Sequence, residues 1–160
     1  MLLIALGLGT MSLPQVYRLG GAIRETLHNN YISIEAAQHM HTALYALQLA
    51  QRDGTLAAAL PANRDAFRHW IDVGLNHITE AGEAELAADI ERRGRRLFDR
   101  FSASAPASQT DQEFAELHGR LDELAGMNQA AMFRADSRAS QLSARLTTAF
   151  GAGLVLLLVI

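Results

Sequence analysis

Residues 147–160 read TTAFGAGLVLLLVI and carry no charged side chain. The stretch covers about 14 residues, whereas a helix that crosses the apolar core of a bilayer needs about 20. Residues 1–13, MLLIALGLGTMSL, are similarly apolar, and every Asp, Glu, Lys and Arg lies between Arg18 and Arg145. We therefore expect residues 1–14 to be the C-terminal part of a first transmembrane helix and 147–160 the N-terminal part of a second. Residues 15–146 would form an extramembrane domain tethered at both ends.

Two other interpretations of the apolar ends are a cleaved signal peptide and the core helices of a soluble protein. A signal peptide begins with a basic segment and ends at an Ala-x-Ala site, and the first 20 or so residues show neither clearly. Gly7, Gly9, Gly151 and Gly153 disfavour soluble helices, because glycine is common in membrane helices and destabilises soluble ones. The pattern favours membrane helices that this sequence contains only in part.

The amino-acid composition and charge favour some classes of protein over others. A chain of 160 residues corresponds to one domain, and its many alanines and few aromatic residues favour an all-α fold. The net charge is −3 and there is no basic tract, so nucleic acid is not an expected partner. The arginines of residues 92–100 are accompanied by Glu91 and Asp99, which indicates a solvated helix face. The chain has no cysteine, so packing alone must stabilise it.

Apolar residues recur at helical spacing in four segments. Helix one should begin near Pro14 and run to about Arg52. Asn63 should cap a second helix of about 15 residues that ends near His77. Thr79 should cap the third helix, and Thr110 or Asp111 the fourth, which would continue without a break into 147–160.

The order long, short, short, long predicts an antiparallel up-down-up-down four-helix bundle, because short connections make successive helices antiparallel neighbours. If Asp53 lies opposite Thr110, residues at equal height on helices one and four have numbers that sum to about 163. That rule places His41 beside Asp122 and Asn30 beside Phe133. The turn at Thr79 should then lie at the height of 36–38. Beyond that turn, helices one and four have no cover, which predicts a homodimer through these two helices.

Three stretches resemble a known family: NYISIEAAQHM at 30–40, NHITEAGE at 76–83, and NQAAM at 128–132 followed by Ala135, Arg138, Ala139 and Ala144. They are similar to the periplasmic four-helix sensor domain of bacterial transmembrane histidine kinases of the KinB-like type. Ala81 departs from the pattern, since relatives often carry proline there. The resemblance implies a periplasmic signal-sensing input domain, at 15–146, of a two-component system in the bacterial inner membrane. The kinase domains that it would control are absent from this chain.

Seven residues are candidates for ligand binding. Asn30 and Tyr31 of helix one and Asn128 of helix four should face inward, where a buried amide either fixes the register of the helices or contacts a ligand. Arg24, His28, Arg134 and Arg138 should lie at similar heights near the membrane. Across a dimer they could hold a small anion, although solvated or lipid-facing charge is the alternative.

No catalytic residue, metal site or cofactor is expected. Glu25 and His28 form a single Glu-x-x-His motif, and a di-iron bundle needs two. The sequence has no His-Glu-x-x-His motif and no glycine-rich phosphate loop. We expect this chain not to be an enzyme and to act by ligand- or environment-induced movement of helices one and four. Two alternatives remain open: the ligand-binding domain of a methyl-accepting chemoreceptor, and a membrane-tethered bundle that binds a partner protein.

Overall fold

The computed structural model describes the backbone at residues 2–103 and 107–159 and the side chains at 20–103 and 110–148. It contains four helices, α1 (Leu2–Arg52), α2 (Leu56–Leu75), α3 (Glu83–Ser102) and α4 (Ala107–Val159), with no strand in the described ranges. The prediction of an all-α four-helix bundle is confirmed. The pattern long, short, short, long is also observed, with 51 residues in α1, 20 in α2, 20 in α3 and 53 in α4.

The predicted transmembrane segments, 1–14 and 147–160, lie outside the described side chains except at Thr147 and Thr148. In the part of the chain whose side chains are described, no helix has an apolar stretch long enough to cross a bilayer. The chain divides into two compact units. Unit 1 contains Met1–His28 with Met132–Ile160, and unit 2 contains Asn29–Ala131.

The apolar core of unit 2 is built from all four helices. Phe67 of α2 and Phe98 of α3 meet edge to face, with ring centroids 5.3 Å apart. Gly94 lies beneath the Phe67 ring, because a Cβ atom at that position would lie 2.6 Å from Phe67 Cε1. The ring centroids of Phe101 of α3 and Phe114 of α4 lie 5.5 Å apart. Large side chains that α1 and α4 bury completely are Met40, Leu44, Leu47, Leu117 and Leu121.

The predicted start of helix two was wrong. The helix begins at Leu56 and includes Pro61, whereas Asn63, the predicted cap, lies within the helix and donates its Nδ2–H to the Ala59 carbonyl at 2.8 Å. A proline inside a helix removes one main-chain hydrogen bond. Leu56 and Leu60 pack against the core, and burial of such side chains offsets that cost.

The caps of the next two helices also differ from expectation. Gly82 is the N-cap of α3, with φ of 85°, a left-handed conformation that glycine adopts without steric cost. Thr79, the predicted cap, lies in the turn before it. Helix α4 begins at Ala107, so Thr110 lies inside the helix, where it is buried and accepts a hydrogen bond from Gln51 Nε2 at 2.9 Å.

The turn between α2 and α3 lies nearer the N-terminus of α1 than predicted. Gly74 of α2 lies against Ala36, and the Thr79 hydroxyl donates a hydrogen bond to Asn30 Oδ1. The expected position was beside 36–38. The longer α2 explains the difference, because 20 residues span about 30 Å rather than the ~23 Å of the predicted helix.

Candidate functional site

A group of polar side chains, called here the polar cluster, lies inside unit 2 at the α2–α3 turn. It consists of Asn30 and Ser33 of α1, Thr79 of the turn, Glu83 of α3 and Asn128 of α4. All except Thr79 are buried, with exposed fractions of at most 1%. Burying polar groups costs free energy unless they are hydrogen-bonded, so their partners determine what the cluster can do.

Glu83 is the centre of the polar cluster. Its Oε2 accepts hydrogen bonds from the backbone N–H groups of Thr79 at 2.8 Å and Glu80 at 3.0 Å. Its Oε1 accepts from Asn128 Nδ2 at 2.8 Å. The buried carboxylate therefore closes the turn on itself and also connects it to α4. In the sequence, Glu83 stands out only as the last residue of the stretch NHITEAGE.

Both predicted inward amides belong to the polar cluster. Asn30 bonds to the Thr79 hydroxyl, and Asn128 bonds to Glu83 and to the Leu124 carbonyl at 3.0 Å. The amides of α1 and α4 thus both reach the same turn. Their contacts agree with the interpretation that buried amides fix the register of helices. Asn30 Nδ2, Ser33 Oγ and Asn128 Oδ1 have no hydrogen-bond partner among the described residues.

The inward orientation predicted for Tyr31 was wrong, because 57% of this residue is exposed. Adjacent residues on a helix point about 100° apart, so burial of Asn30 turns Tyr31 outward. Arg24, His28 and Arg134 are exposed residues of unit 1. The remaining candidate, Arg138, is exposed as well but lines a groove in the same unit.

The groove of unit 1, called here the arginine groove, is open and has a volume of about 440 Å³. Arg138 and Arg145 of α4 line it together with Thr26 of α1 and Gln141 of α4. Apolar walls come from Ile23 and Leu142, among others. Guanidinium groups bind oxyanions through paired hydrogen bonds, so this chemistry suits a small anion. The structure thus places one of the four predicted cationic residues in a groove, with a second arginine that the prediction missed.

A third group, called here the histidine cluster, joins α1 and α4 within unit 2. His41 Nε2 lies 3.1 Å from Asp122 Oδ1, which confirms the predicted pairing of these two residues. His41 Nδ1 lies 2.6 Å from His118 Nδ1, and Tyr45 stacks on His118 with ring centroids 4.4 Å apart. His118 was missed, although its position four residues before Asp122 places both on one helix face. The second predicted pairing, of Asn30 with Phe133, stays a prediction.

Burial lowers the pKa of His118 below its ordinary value, because the charged imidazolium is desolvated. The positive charge of His41 lowers this pKa further, and the Asp122 carboxylate opposes the change. No group of three or more His, Cys, Asp or Glu residues in the described ranges is arranged to hold a metal ion.

Four of the five arginines of α3 form ion pairs, as expected of a solvated face. Arg93 pairs with Asp89 at 2.7 Å and with Glu116 of α4 at 2.6 Å. Arg120 of α4 lies 3.4 Å from Asp89. The hydrogen bond from Arg93 lowers the pKa of Asp89, although partial burial opposes this change.

The comparisons with known proteins identify no relative. No family model, no curated protein and no solved structure matches the chain. None of the polar cluster, the arginine groove and the histidine cluster combines a nucleophile with a base in hydrogen-bond contact, as nucleophilic catalysis would need.

Proposed function

We propose that this chain is the extracytoplasmic input domain of a bacterial transmembrane sensor histidine kinase. The observation that carries the proposal is the composition of unit 1, which joins the first part of α1 to the last part of α4. Both chain ends thus belong to one compact unit, as expected of a domain tethered to a membrane at both ends. The two intervening helices are less than half as long as α1 and α4.

An antiparallel up-down-up-down topology is part of this proposal. Contacts between α1 and α4 support it, because His41 meets Asp122 whereas Gln51, further along α1, meets Thr110, which is earlier on α4. Contacts between α3 and α4 also pair residues later on one helix with residues earlier on the other. Asp89 meets Arg120, and Arg100 meets Glu113 at 3.1 Å.

In the proposed arrangement, 1–14 and 147–160 belong to transmembrane helices in the bacterial inner membrane, and 15–146 lie in the periplasm. The phosphotransfer chemistry would belong to cytoplasmic domains outside this chain. Two copies would associate through α1 and α4. Exposed apolar residues of α1 in unit 2 support this contact: Tyr31, Tyr45 and Leu49.

Signal transmission would be mechanical. A ligand shifts a conformational equilibrium only when it binds one packing of the helices better than another. The arginine groove offers a place for a small anion between segments of α1 and α4, the two helices that continue toward the membrane. An anion that draws Arg138 toward Thr26 would favour one arrangement of these segments.

Membrane topology is the first test. Alkaline phosphatase, which is active only in the periplasm, should be inserted between Ala103 and Ala107 of a chain whose two partial transmembrane helices are extended with apolar residues to about 20 residues each. A cytoplasmic fluorescent reporter should follow the extended second helix. We expect phosphatase activity from the insertion and fluorescence from the terminal fusion. An inactive insertion in a membrane-bound chain would reject the periplasmic assignment.

Transmission is the second test. Residues 1–160, with both transmembrane helices extended in the same way, should be joined to the cytoplasmic part of a histidine kinase whose autophosphorylation can be measured. Ile23→Cys and Leu27→Cys, made singly, should then be oxidised to disulfides between the two copies. We expect cross-linked dimers whose kinase activity differs from that of the reduced protein. Unchanged kinase activity in fully cross-linked protein would reject transmission through α1.

A further inference from the structure

The close contact in the histidine cluster restricts how many protons it can hold. His41 Nδ1 and His118 Nδ1 lie 2.6 Å apart, and the two rings are nearly parallel, with 9° between their planes. Two ring nitrogens at hydrogen-bond distance need one hydrogen between them. One nitrogen must donate its N–H and the other must accept with its lone pair.

Asp122 determines which tautomer His41 adopts. An ionised carboxylate only accepts hydrogen bonds, so the Nε2 atom of His41, 3.1 Å away, carries the hydrogen. In the neutral pair, His41 Nδ1 is therefore the acceptor and His118 Nδ1 the donor. His118 Nε2 is buried and has no hydrogen-bond partner among the described residues.

The contact tolerates one additional proton but not two. After one proton is added, a single N–H can still lie between the Nδ1 atoms, and Asp122 balances the positive charge. After a second proton is added, both Nδ1 atoms carry hydrogen and the hydrogen bond is lost. The two imidazolium rings, whose centroids lie 4.8 Å apart, also repel each other.

The other groups around the pair do not supply a second negative charge. The phenol of Tyr45, on α1, stacks on the His118 ring. The neutral ring of Phe114, on α4, has its centroid 6.4 Å from that of His118. Asp122 is the carboxylate in contact with the pair. In the described part of α2 and α3, no ionisable side chain forms an ion pair, hydrogen bond or ring contact with either histidine.

We propose that His41 and His118 form a proton-binding site that holds α1 and α4 together with at most one extra proton and separates them on binding a second. The ligand of this site is the proton itself. The contact between the two helices would respond to protons whether or not the chain is a sensor. If the chain is a sensor, acidification is a signal that it detects.

The direction of the effect follows from the lowered pKa of His118. A separated arrangement exposes this imidazole to water and restores its affinity for protons. As the pH falls below about 6.5, the ordinary value for histidine, protonation therefore favours the separated arrangement. Above that pH both arrangements hold His118 neutral, and the contact is retained.

The first experiment follows protonation of the full wild-type chain. Ring ¹⁵N chemical shifts of the histidines should be recorded by NMR from about pH 8 to about pH 4. We expect the ring signals of His118 to change only below the ordinary histidine value of about 6.5, because burial and the neighbouring ring of His41 oppose its protonation. Protonation of His118 at or above that pH would overturn the proposal.

The second experiment measures the helix contact itself. Spin labels at Thr42 of α1 and Ala115 of α4, both exposed, report the distance between the helices near the pair. We expect the distance to increase between about pH 7 and pH 4 in wild type and to stay constant in His118→Phe, which keeps an aromatic ring but binds no proton. His69→Gln, at an exposed histidine of α2, should respond as wild type. A constant wild-type distance, or an equal increase in His118→Phe, would overturn the proposal.

Discussion

At the scale of single residues, Glu83 connects the α2–α3 turn to α4 through three hydrogen bonds. One carboxylate accepts two backbone N–H groups of the α2–α3 turn and the amide of Asn128. Without the Glu83 carboxylate, these three N–H donors would lose a hydrogen-bond acceptor at a site where water has little access. A residue that begins a helix therefore also determines how the turn attaches to α4.

Substitution of Glu83 by glutamine should test this role. The glutamine side chain keeps one oxygen acceptor, loses the charge and places an N–H group against a donor. Hydrogen bonds to charged groups contribute about 1.5–3 kcal/mol, so we expect the free energy of unfolding to fall by about 2 kcal/mol. Urea denaturation measures the change. Glu85→Gln, an exposed change in the same helical turn, should have little effect, and equal losses in the two variants would contradict the assignment.

Substitution by alanine should change the stability of the fold in opposite directions at two glycines that lie within helices. Alanine at Gly119 meets no atom within 4 Å and should stabilise α4 by about 0.5–1 kcal/mol through helix propensity. Alanine at Gly94 gains the same propensity but forces its Cβ against the Phe67 ring. Such overpacking costs about 1–3 kcal/mol. We expect Gly94→Ala to be less stable than Gly119→Ala by that amount in urea denaturation, and equal stability would show that the ring moves freely.

At the scale of helices, the contact between α3 and α4 has an electrostatic part. Asp89 is shared between Arg92 and Arg93 on its own helix and Arg120 on α4. Arg93 also reaches Glu116. Exposed ion pairs contribute little individually, but a carboxylate shared by three arginines is held more firmly. The hydrogen bond from Arg93 is the main reason that the pKa of Asp89 is lowered.

Stability in acid should depend on Asp89. Its pKa is lower in the folded chain than in the unfolded one, so its contribution is complete above the ordinary aspartate value of about 4. That contribution is lost as the pH falls through the lowered pKa. We expect Asp89→Asn to be less stable than wild type at about pH 7 and to lose less stability below about pH 4. Asp72→Asn, at an exposed position of α2, should keep the wild-type pH dependence.

The boundaries of α2 show where local sequence signals fail. Asn63 is a good cap and Pro61 is a poor helix residue, and both predict a start after the proline. The helix nevertheless begins at Leu56, because Leu56 and Leu60 bury apolar surface against the other helices. Local preferences amount to about 1–3 kcal/mol, which tertiary packing can exceed.

At the scale of the whole molecule, the proposed dimer should depend on the exposed apolar side of α1. We expect Tyr31→Glu combined with Leu49→Glu to weaken association at least about tenfold, since each change would bury a charge in the interface. Light scattering over a concentration series measures the average molecular mass and hence the fraction of dimer. Ile78→Glu, at a partly exposed residue between α2 and α3, should leave association unchanged. A wild-type chain that stays monomeric at high concentration would reject the dimer.

The number and order of helices, and the pairing of His41 with Asp122, followed from the sequence by itself. Apolar periodicity and chain breaks are local properties, and equal rise per residue then determines which positions meet. Only the tertiary structure decided that Glu83 is buried, that His118 lies against His41, and that Tyr31 faces outward. These features depend on how each helix is rotated toward the core. That rotation is determined by the packing of all four helices together, which no single stretch of sequence encodes.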